Sequence, residues 1–266
     1  MSDDREKPRM LAIQRQNLIL QTIAKTGFVS VPALAVECAV TEMTMRRDLD
    51  RLAEAGKIER THGGAVAIDT NSAGTGHRVE PHYHRRAGQM VRAKRAIATA
   101  AAKLVRPGMT IGLDIGTTAL ELALELADQD VAIYTSSLRI ASALADLAPH
   151  VYVPTGLVTG TEPSVVGQQA EAVLGSIYYD IAFIGAAAMS DKGIAYDYSP
   201  EDACIKRILI KQSRRAFLLL DSSKTGRSAL VEVCRPGEIR ALITDRAPDK
   251  AIKDALAASG TGIVVG

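Results

Sequence analysis

Thr41-Glu42-Met43-Thr44-Met45-Arg46-Arg47-Asp48-Leu49-Asp50-Arg51-Leu52 is the stretch on which the reading turns. Wound as a helix, it sets Met45, Leu49 and Leu52 at i, i+4 and i+7, which is one apolar stripe. Met43, Arg47 and Asp50 then point the opposite way, with Thr44, Arg46 and Arg51 on the flanks. A helix docked by one stripe, with paired arginines on its outer N-terminal half, suits the major groove of DNA, where such residues meet base edges. An arginine paired bidentately with guanine is worth about 1–3 kcal/mol of discrimination. Thr41 and Thr44 offer hydroxyls to phosphates or bases. The competing reading is a solvated amphipathic helix with a charged outer face. The surroundings of the helix decide against it.

Upstream, Ile13, Ile19, Leu20 and Ile23 mark the stripe of a first helix, which Gly27 ends. Ser30 is placed to cap a short second helix, with Pro32 in its first turn and Leu34, Ala35 and Cys38 on its buried face. A tight turn at Ala39 and Val40 leads to Thr41, the expected N-cap of the third helix, which ends near Gly56. Ile58 to Ile68 then alternates like a strand pair around Gly63-Gly64, read as the turn. Three helices and a hairpin make a winged helix-turn-helix, with Arg60 and His62 beside the wing tip, in reach of backbone or minor groove.

Asp69 to Gly76 is rich in Gly, Thr, Ser and Asn and has no periodicity, so residues 69–84 read as a linker. A long basic helix over Arg85–Val105 follows, closed by Pro107-Gly108. Beyond it, β-branched runs alternate with helical patterns. The expected strands are Thr110–Asp114, Val131–Thr135, Val151–Pro154, Ile181–Ile184, Ala216–Asp221 and Ala241–Thr244. The expected helices are Thr118–Ala127, Leu138–Leu147, Gln168–Leu174, Pro200–Ser213 and Asp249–Ala258. Such alternation predicts a mostly parallel sheet covered by helices.

The bulk numbers exclude several classes. With 32 basic and 30 acidic residues, net charge is only +2, so DNA contact must come from local clustering. Cys38, Cys204 and Cys234 are widely spaced, which argues against a disulfide framework or zinc ribbon and for a reducing cytoplasm. Met1 to Arg9 are dense in charge without an apolar core, which predicts no secretory signal. No apolar run approaches the ~20 residues of a membrane span. His77, His82 and His84 cluster near the linker, but no cysteine or acidic pair completes a tetrahedral set. No metal and no cofactor are expected.

The C-terminal half carries a second constellation. Leu113-Asp114-Ile115-Gly116-Thr117-Thr118 joins a strand to a helix, with Gly116 for the turn and hydroxyls beside free amides. Those amides and the helix dipole favour an anion. Thr135-Ser136-Ser137 ends the next strand similarly. Lys224, in Asp221-Ser222-Ser223-Lys224-Thr225-Gly226, brings a point charge suited to a phosphate. Each loop alone reads equally as a simple cap. Three of them at strand ends, where α/β sheets bind ligands, make a candidate site.

On these residues the chain resembles the DeoR family of transcription regulators. Arg15, the block Thr41-Glu42-Met43-Thr44-Met45-Arg46-Arg47-Asp48-Leu49, Gly56 and Arg60-Thr61-His62-Gly63-Gly64-Ala65 are similar to its DNA-binding domain. Lys94 to Ala247 is similar to its effector domain, through Asp114-x-Gly116-Thr117-Thr118, Thr135-Ser136-Ser137, Asp221 to Gly226 and Ile243-Thr244-Asp245. The resemblance implies a fold like that of ribose-5-phosphate isomerase and a phosphorylated sugar as effector. Ile115, Ser136 and Thr155-Gly156 depart from the family pattern and leave the ligand's identity open.

The alternative is a sugar-phosphate isomerase fused to a DNA-binding domain. Aldose–ketose isomerisation needs a carboxylate base. Related isomerases carry an acidic run where Ile184-Gly185-Ala186-Ala187-Ala188 stands here, with methyls in place of carboxylates. Asp197, Glu201 and Lys206 remain as polar groups able to contact a sugar. The expectation is therefore a two-domain α+β / α/β protein that is not an enzyme. Residues 1–68 form the winged helix-turn-helix and 85–266 the α/β effector domain. The expected function is repression of carbohydrate catabolic genes, controlled by a phosphorylated sugar or polyol. DNA contacts fall to Thr41, Met43, Thr44, Arg46, Arg47, Arg51, Arg60 and His62. Effector contacts fall to Asp114, Gly116, Thr117, Thr118, Ser136, Ser137, Glu201, Lys206 and Lys224. Paired half-sites predict a homo-oligomer, dimer or tetramer.

Overall fold

A computed structural model describes residues 10–26, 28–55, 57–61, 63–67, 83–147, 150–160 and 162–266. The chain divides into two compact units, taken here in turn.

The first contains α1 (Ala12–Thr26), β1 (Phe28–Ser30), α2 (Val31–Glu37), α3 (Glu42–Glu54), β2 (Ile58–Thr61) and β3 (Gly64–Ala67). Ile19, Ile23, Leu34, Ala35, Cys38, Met45, Leu49 and Leu52 share one core, as their spacing predicts. Ser30 caps α2, accepting from the Ala33 amide at 3.3 Å, and Thr41 caps α3, accepting from the Thr44 amide at 3.3 Å. Between the two helices Ala39 takes a φ of 52°, so the chain turns within three residues.

The wing differs from its sequence reading in two ways. Gly64 is not part of the turn: it opens β3 and pairs with both Thr61 and Ser30. β1 joins the hairpin as a third strand, in the order β1-β3-β2. The two facts have one cause, because a Cβ on Gly64 would lie 1.7 Å from the Val29 carbonyl oxygen. The glycine is what lets β3 close on β1. A three-residue strand is too short to show a period of two.

The expected linker falls mostly on residues outside those described, as do His77 and His82. The single basic helix expected over Arg85–Val105 is two: α4 (Tyr83–Gly88) and α5 (Val91–Ala102). Gly88 disfavours helix, and Met90 enters α5 at a left-handed φ of 53°.

The second unit continues from α5 with β4 (Thr110–Leu113), α6 (Thr117–Glu125), β5 (Ala132–Thr135), α7 (Leu138–Leu144), β6 (Val151–Tyr152), β7 (Leu157–Thr159), β8 (Ser164–Val166) and α8 (Gln168–Gly175). It goes on with β9 (Ile181–Gly185), β10 (Ala188–Met189), β11 (Ala195–Asp197), α9 (Pro200–Lys211), β12 (Ala216–Leu219), β13 (Val231–Cys234), β14 (Ala241–Thr244), α10 (Lys250–Ala258) and β15 (Gly262–Val265). Seven strands form one sheet in the order β15-β14-β12-β9-β4-β5-β6, and all six pairings are parallel. Its central strands are buried on both faces, which is why they read as continuous apolar runs. Ile111, Leu113, Ile133, Ile181 and Phe183 face one core with Ile97, Leu122 and Ile140. Ala182, Ile184, Leu218 and Leu242 face the other with Leu174, Leu209 and Leu256.

Candidate DNA interface and effector site

On α3 the outward residues are where the helical wheel put them. Thr41, Met43, Arg46, Arg47 and Arg51 are exposed and Thr44 is half-buried. Arg46 pairs with Glu42 one turn earlier, at 2.9 Å, an exposed contact of the kind worth under about 1 kcal/mol. Arg47 makes no ion pair among the described residues, which leaves its guanidinium free for a partner. Arg60 of β2 is committed twice over. Its Nε sits 2.9 Å from Asp50 of α3, and its Nη1 donates to the Gly64 carbonyl at 2.9 Å. That tie fixes the wing against the helix. His62 lies outside the described residues.

Sequence reasoning did not find the bond beneath this face. Arg15 of α1 donates from Nε to Asp48 of α3 at 2.7 Å, with both side chains buried, and from Nη1 to the Met10 carbonyl at 2.7 Å. Asp48 sits on the apolar side of α3, so only an unexpected carboxylate between Met45 and Leu52 signalled it.

In the second unit the sheet order makes the site. β4 comes first in sequence, β5 and β6 lie on one side of it, and β9, β12, β14 and β15 on the other. Strand order therefore reverses between β4 and β9, and the carboxyl ends of strands at such a reversal are where open α/β sheets bind ligands. Asp114 stands at that point. Its amide donates to the Phe183 carbonyl at 3.0 Å, and its Oδ2 accepts from the Gly185 amide at 2.8 Å. Lys224, after β12, reaches the Ala186 carbonyl at 2.9 Å, just past β9. Gly116 turns the chain into α6 at φ 117° and ψ 159°, a conformation only glycine takes readily. It has no side chain to cap α6, and among the described residues no side-chain acceptor meets the amides of Thr117, Thr118 and Ala119.

Two sequence-predicted residues meet in a buried cluster. Lys206 of α9, 2% exposed, bonds Asp114, 1% exposed, and lies 3.3 Å from Asp197. Asp202, one turn back on α9, accepts from Ser164 Oγ at 2.8 Å. Burial pushes the Asp114 carboxyl up to about 6, against the pull of the Lys206 ammonium and the Gly185 amide. Burial also acts to discharge Lys206, but Asp114, Asp197 and Asp202 outweigh it and hold its pKa above the usual value. Asp202 is likewise raised, first by burial. Asp202 shares a helix face with Lys206, four residues apart, and that spacing was the available signal.

The remaining predicted residues divide. Ser137 caps α7, accepting from the Ile140 amide at 3.2 Å, and its own amide donates to Thr135 Oγ1 at 3.1 Å. Ser136 is buried, and its hydroxyl has no partner among the described residues. Glu201 is exposed and accepts from Ser199 Oγ at 3.2 Å. Glu162, which nothing in the sequence singled out, is buried and accepts from the Gly116 amide at 2.7 Å.

A helix-turn-helix whose third helix turns arginines outward, followed by a parallel α/β unit with a strand reversal at its centre, is the build of a DNA-binding transcription regulator that carries a sensor domain. Residues 15–71 match the family described as DeoR-like helix-turn-helix domain, and residues 89–246 match the DeoR C terminal sensor domain. The chain belongs to the DeoR family of transcription regulators. It is 30% identical to the L-fucose operon activator of Haemophilus influenzae over 88% of this chain and 93% of that one. It is 29% identical to the glycerol-3-phosphate regulon repressor of Escherichia coli, over 93% and 96%. Among solved structures, ribose 5-phosphate isomerase A of Methanocaldococcus jannaschii shares 22% identity and a TM-score of 0.38 over 50% of this chain and 53% of that one, a partial likeness of chain path alone.

Proposed function

We propose that this regulator represses genes of carbohydrate breakdown, and that a phosphorylated sugar or polyol bound at the strand reversal relieves the repression. The observation that carries the reading is the pair of chemistries carried by the loops and helix start around the strand reversal. The uncapped amides of Thr117 and Thr118 and the ammonium of Lys224 suit a phosphate. Asp114, Asp197 and Asp202 are acceptors suited to hydroxyls. Lys206 serves the ligand through Asp114, whose carboxylate it holds in place. Ser136 supplies an unspent hydroxyl, while Ser137 and Glu201 stand at the margin. The E. coli relative is named for glycerol 3-phosphate, which is in the same chemical class.

Binding without turnover is the consistent companion reading. The segment Gly185-Ala186-Ala187-Ala188 runs from the last residue of β9 to the first of β10, and its side chains are no more than methyls where a base would be needed. Asp114 is locked to Lys206 and Gly185. The DNA-reading set is Thr41, Met43, Thr44, Arg46, Arg47, Arg51 and His62, with Arg47 foremost, and Arg60 serves it as a strut between wing and helix. One recognition helix spans few base pairs, so the working form is a dimer or tetramer on paired half-sites, acting in the cytoplasm.

The test is fluorescence anisotropy of the full chain on DNA from its own upstream region, at fixed salt, against random DNA. Pentose phosphates, hexose phosphates and glycerol 3-phosphate are added at saturation. Sequence-preferring binding weakened by one of them is the expected result. Binding strengthened by the phosphate would make it a co-repressor and overturn the relief of repression. Formation of ketose from aldose phosphate at an enzymatic rate would overturn the reading.

A further inference from the structure

We propose that Glu162 is an internal competitor for the anionic group of the effector, holding the Gly116 amide until a phosphomonoester takes it. The inference rests on the effector reading above. A helix start is usually capped by the residue at its N-cap or by one three positions on. Here the N-cap is Gly116, which has no side chain, and the acceptor comes from 46 residues away. Glu162 belongs to the segment between β7 and β8, and its carboxylate is 3% exposed against the Gly116 amide. An anionic oxygen at the start of α6 is what a phosphate would place there. Two anions sharing that cradle repel, so one excludes the other.

A second feature marks the place as more than a capped helix. Ser136 Oγ, 1% exposed, has no hydrogen-bond partner among the described residues, although buried hydroxyls ordinarily find one. Ser136 follows β5, the neighbour of β4, and its carbonyl accepts from the Val165 amide at 2.8 Å. The loop that delivers Glu162 is thus stitched to the same junction. Ser164, two residues on, bridges to Ser137 and donates to Asp202 at 2.8 Å. Release of Glu162 loosens the start of β8, and with it the β7–β8 ribbon, whose Leu157 and Val158 are exposed. Occupancy of the cradle is converted into a change in that ribbon.

The test uses the full chain with inorganic phosphate and glycerol 3-phosphate as probes. Glu162→Gln keeps an acceptor for Gly116 and removes the charge. Calorimetric titration is expected to show both probes binding about tenfold tighter to Glu162→Gln than to the unsubstituted protein, since a charge-assisted bond is replaced by a neutral one. Hydrogen exchange of the unsubstituted protein is expected to rise across residues 157–166 when either probe is added. If the probes bind the unsubstituted protein but bind Glu162→Gln equally or more weakly, the competitor role is overturned and the effector reading stands. If neither protein binds these probes or any pentose or hexose phosphate, both fall together. Should Glu162→Gln fail to fold, unchanged or lowered exchange in the ribbon upon probe binding overturns the proposal on its own.

Discussion

Arg15 of the first helix and Asp48 of the recognition helix are joined by a buried hydrogen bond of 2.7 Å. The pair sets the depth and rotation of α3, because Asp48 lies on the same side as Met45 and Leu52, opposite the exposed face. Removing one partner strands the other charge in a dry site. Arg15→Met is expected to destabilise the DNA-binding unit by about 3–5 kcal/mol in urea unfolding, and Arg15→Met with Asp48→Leu by much less. Equal losses in the single and double variants would show that packing, rather than the charge, is what matters.

Arg47 and Arg46 are adjacent but not equivalent, because among the described residues Arg46 pairs with a carboxylate and Arg47 does not. Arg47→Ala is expected to lose about 1–3 kcal/mol of operator binding in anisotropy titrations. Arg46→Ala should lose less, and neither should alter phosphate binding by the sensor unit. A loss of phosphate binding in Arg47→Ala would contradict the division of labour between the two units.

The wing arginine makes a distinct prediction. Arg60 is neutralised by Asp50 and anchored on Gly64, so it acts as a strut between wing and helix. Arg60→Ala should weaken operator binding while leaving the slope of log affinity against log salt nearly unchanged. A slope smaller by about 1 would instead mean that Arg60 meets a phosphate.

The buried Asp114–Lys206 pair predicts how stability responds to pH. Asp114 has a folded pKa of about 6, above its unfolded value, so the folded state holds the extra proton and this carboxyl costs stability as pH rises toward 6. Lys206 is raised instead, so its contribution is complete below its unfolded pKa and is lost only in alkali. Lys206→Met leaves Asp114 buried without its cation. Its cost is expected to be about 3 kcal/mol at pH 8 and clearly smaller at pH 5, where the carboxyl takes a proton. Thermal unfolding at the two pH values checks this, and a cost independent of pH would contradict it.

Much of the architecture was legible beforehand, for identifiable reasons. The stripe Met45, Leu49, Leu52, the caps Ser30 and Thr41, and the buried runs of β9, β12 and β14 are local signals, and each forms as its spacing implies. The short strands β1, β7, β8, β10 and β11 were not legible, since two or three residues cannot display a period. The basic stretch was misread as one helix because charge and alanine content hide the break that Gly88 and Met90 impose.

At the sensor site the sequence identified the loops but not their connections. Asp114, Gly116 and Lys224 carry recognisable motifs, and Lys206 was named without its partners. The bonds Lys206 to Asp114, Ser164 to Asp202 and Glu162 to Gly116 join residues 92, 38 and 46 apart. No local pattern encodes such pairs.

The sequence alone therefore determined most of the segments that wind into helices, which face of α3 turns outward, and which loops close the ends of the strands. All of these follow from periodicity and backbone preference within a few residues. Only the tertiary structure decided that strand order reverses between β4 and β9, that Asp114 is buried against Lys206, and that Glu162 occupies the amide of Gly116. Those outcomes depend on distant groups sharing one dry interior, where the free energy of a charge is set by its neighbours in space.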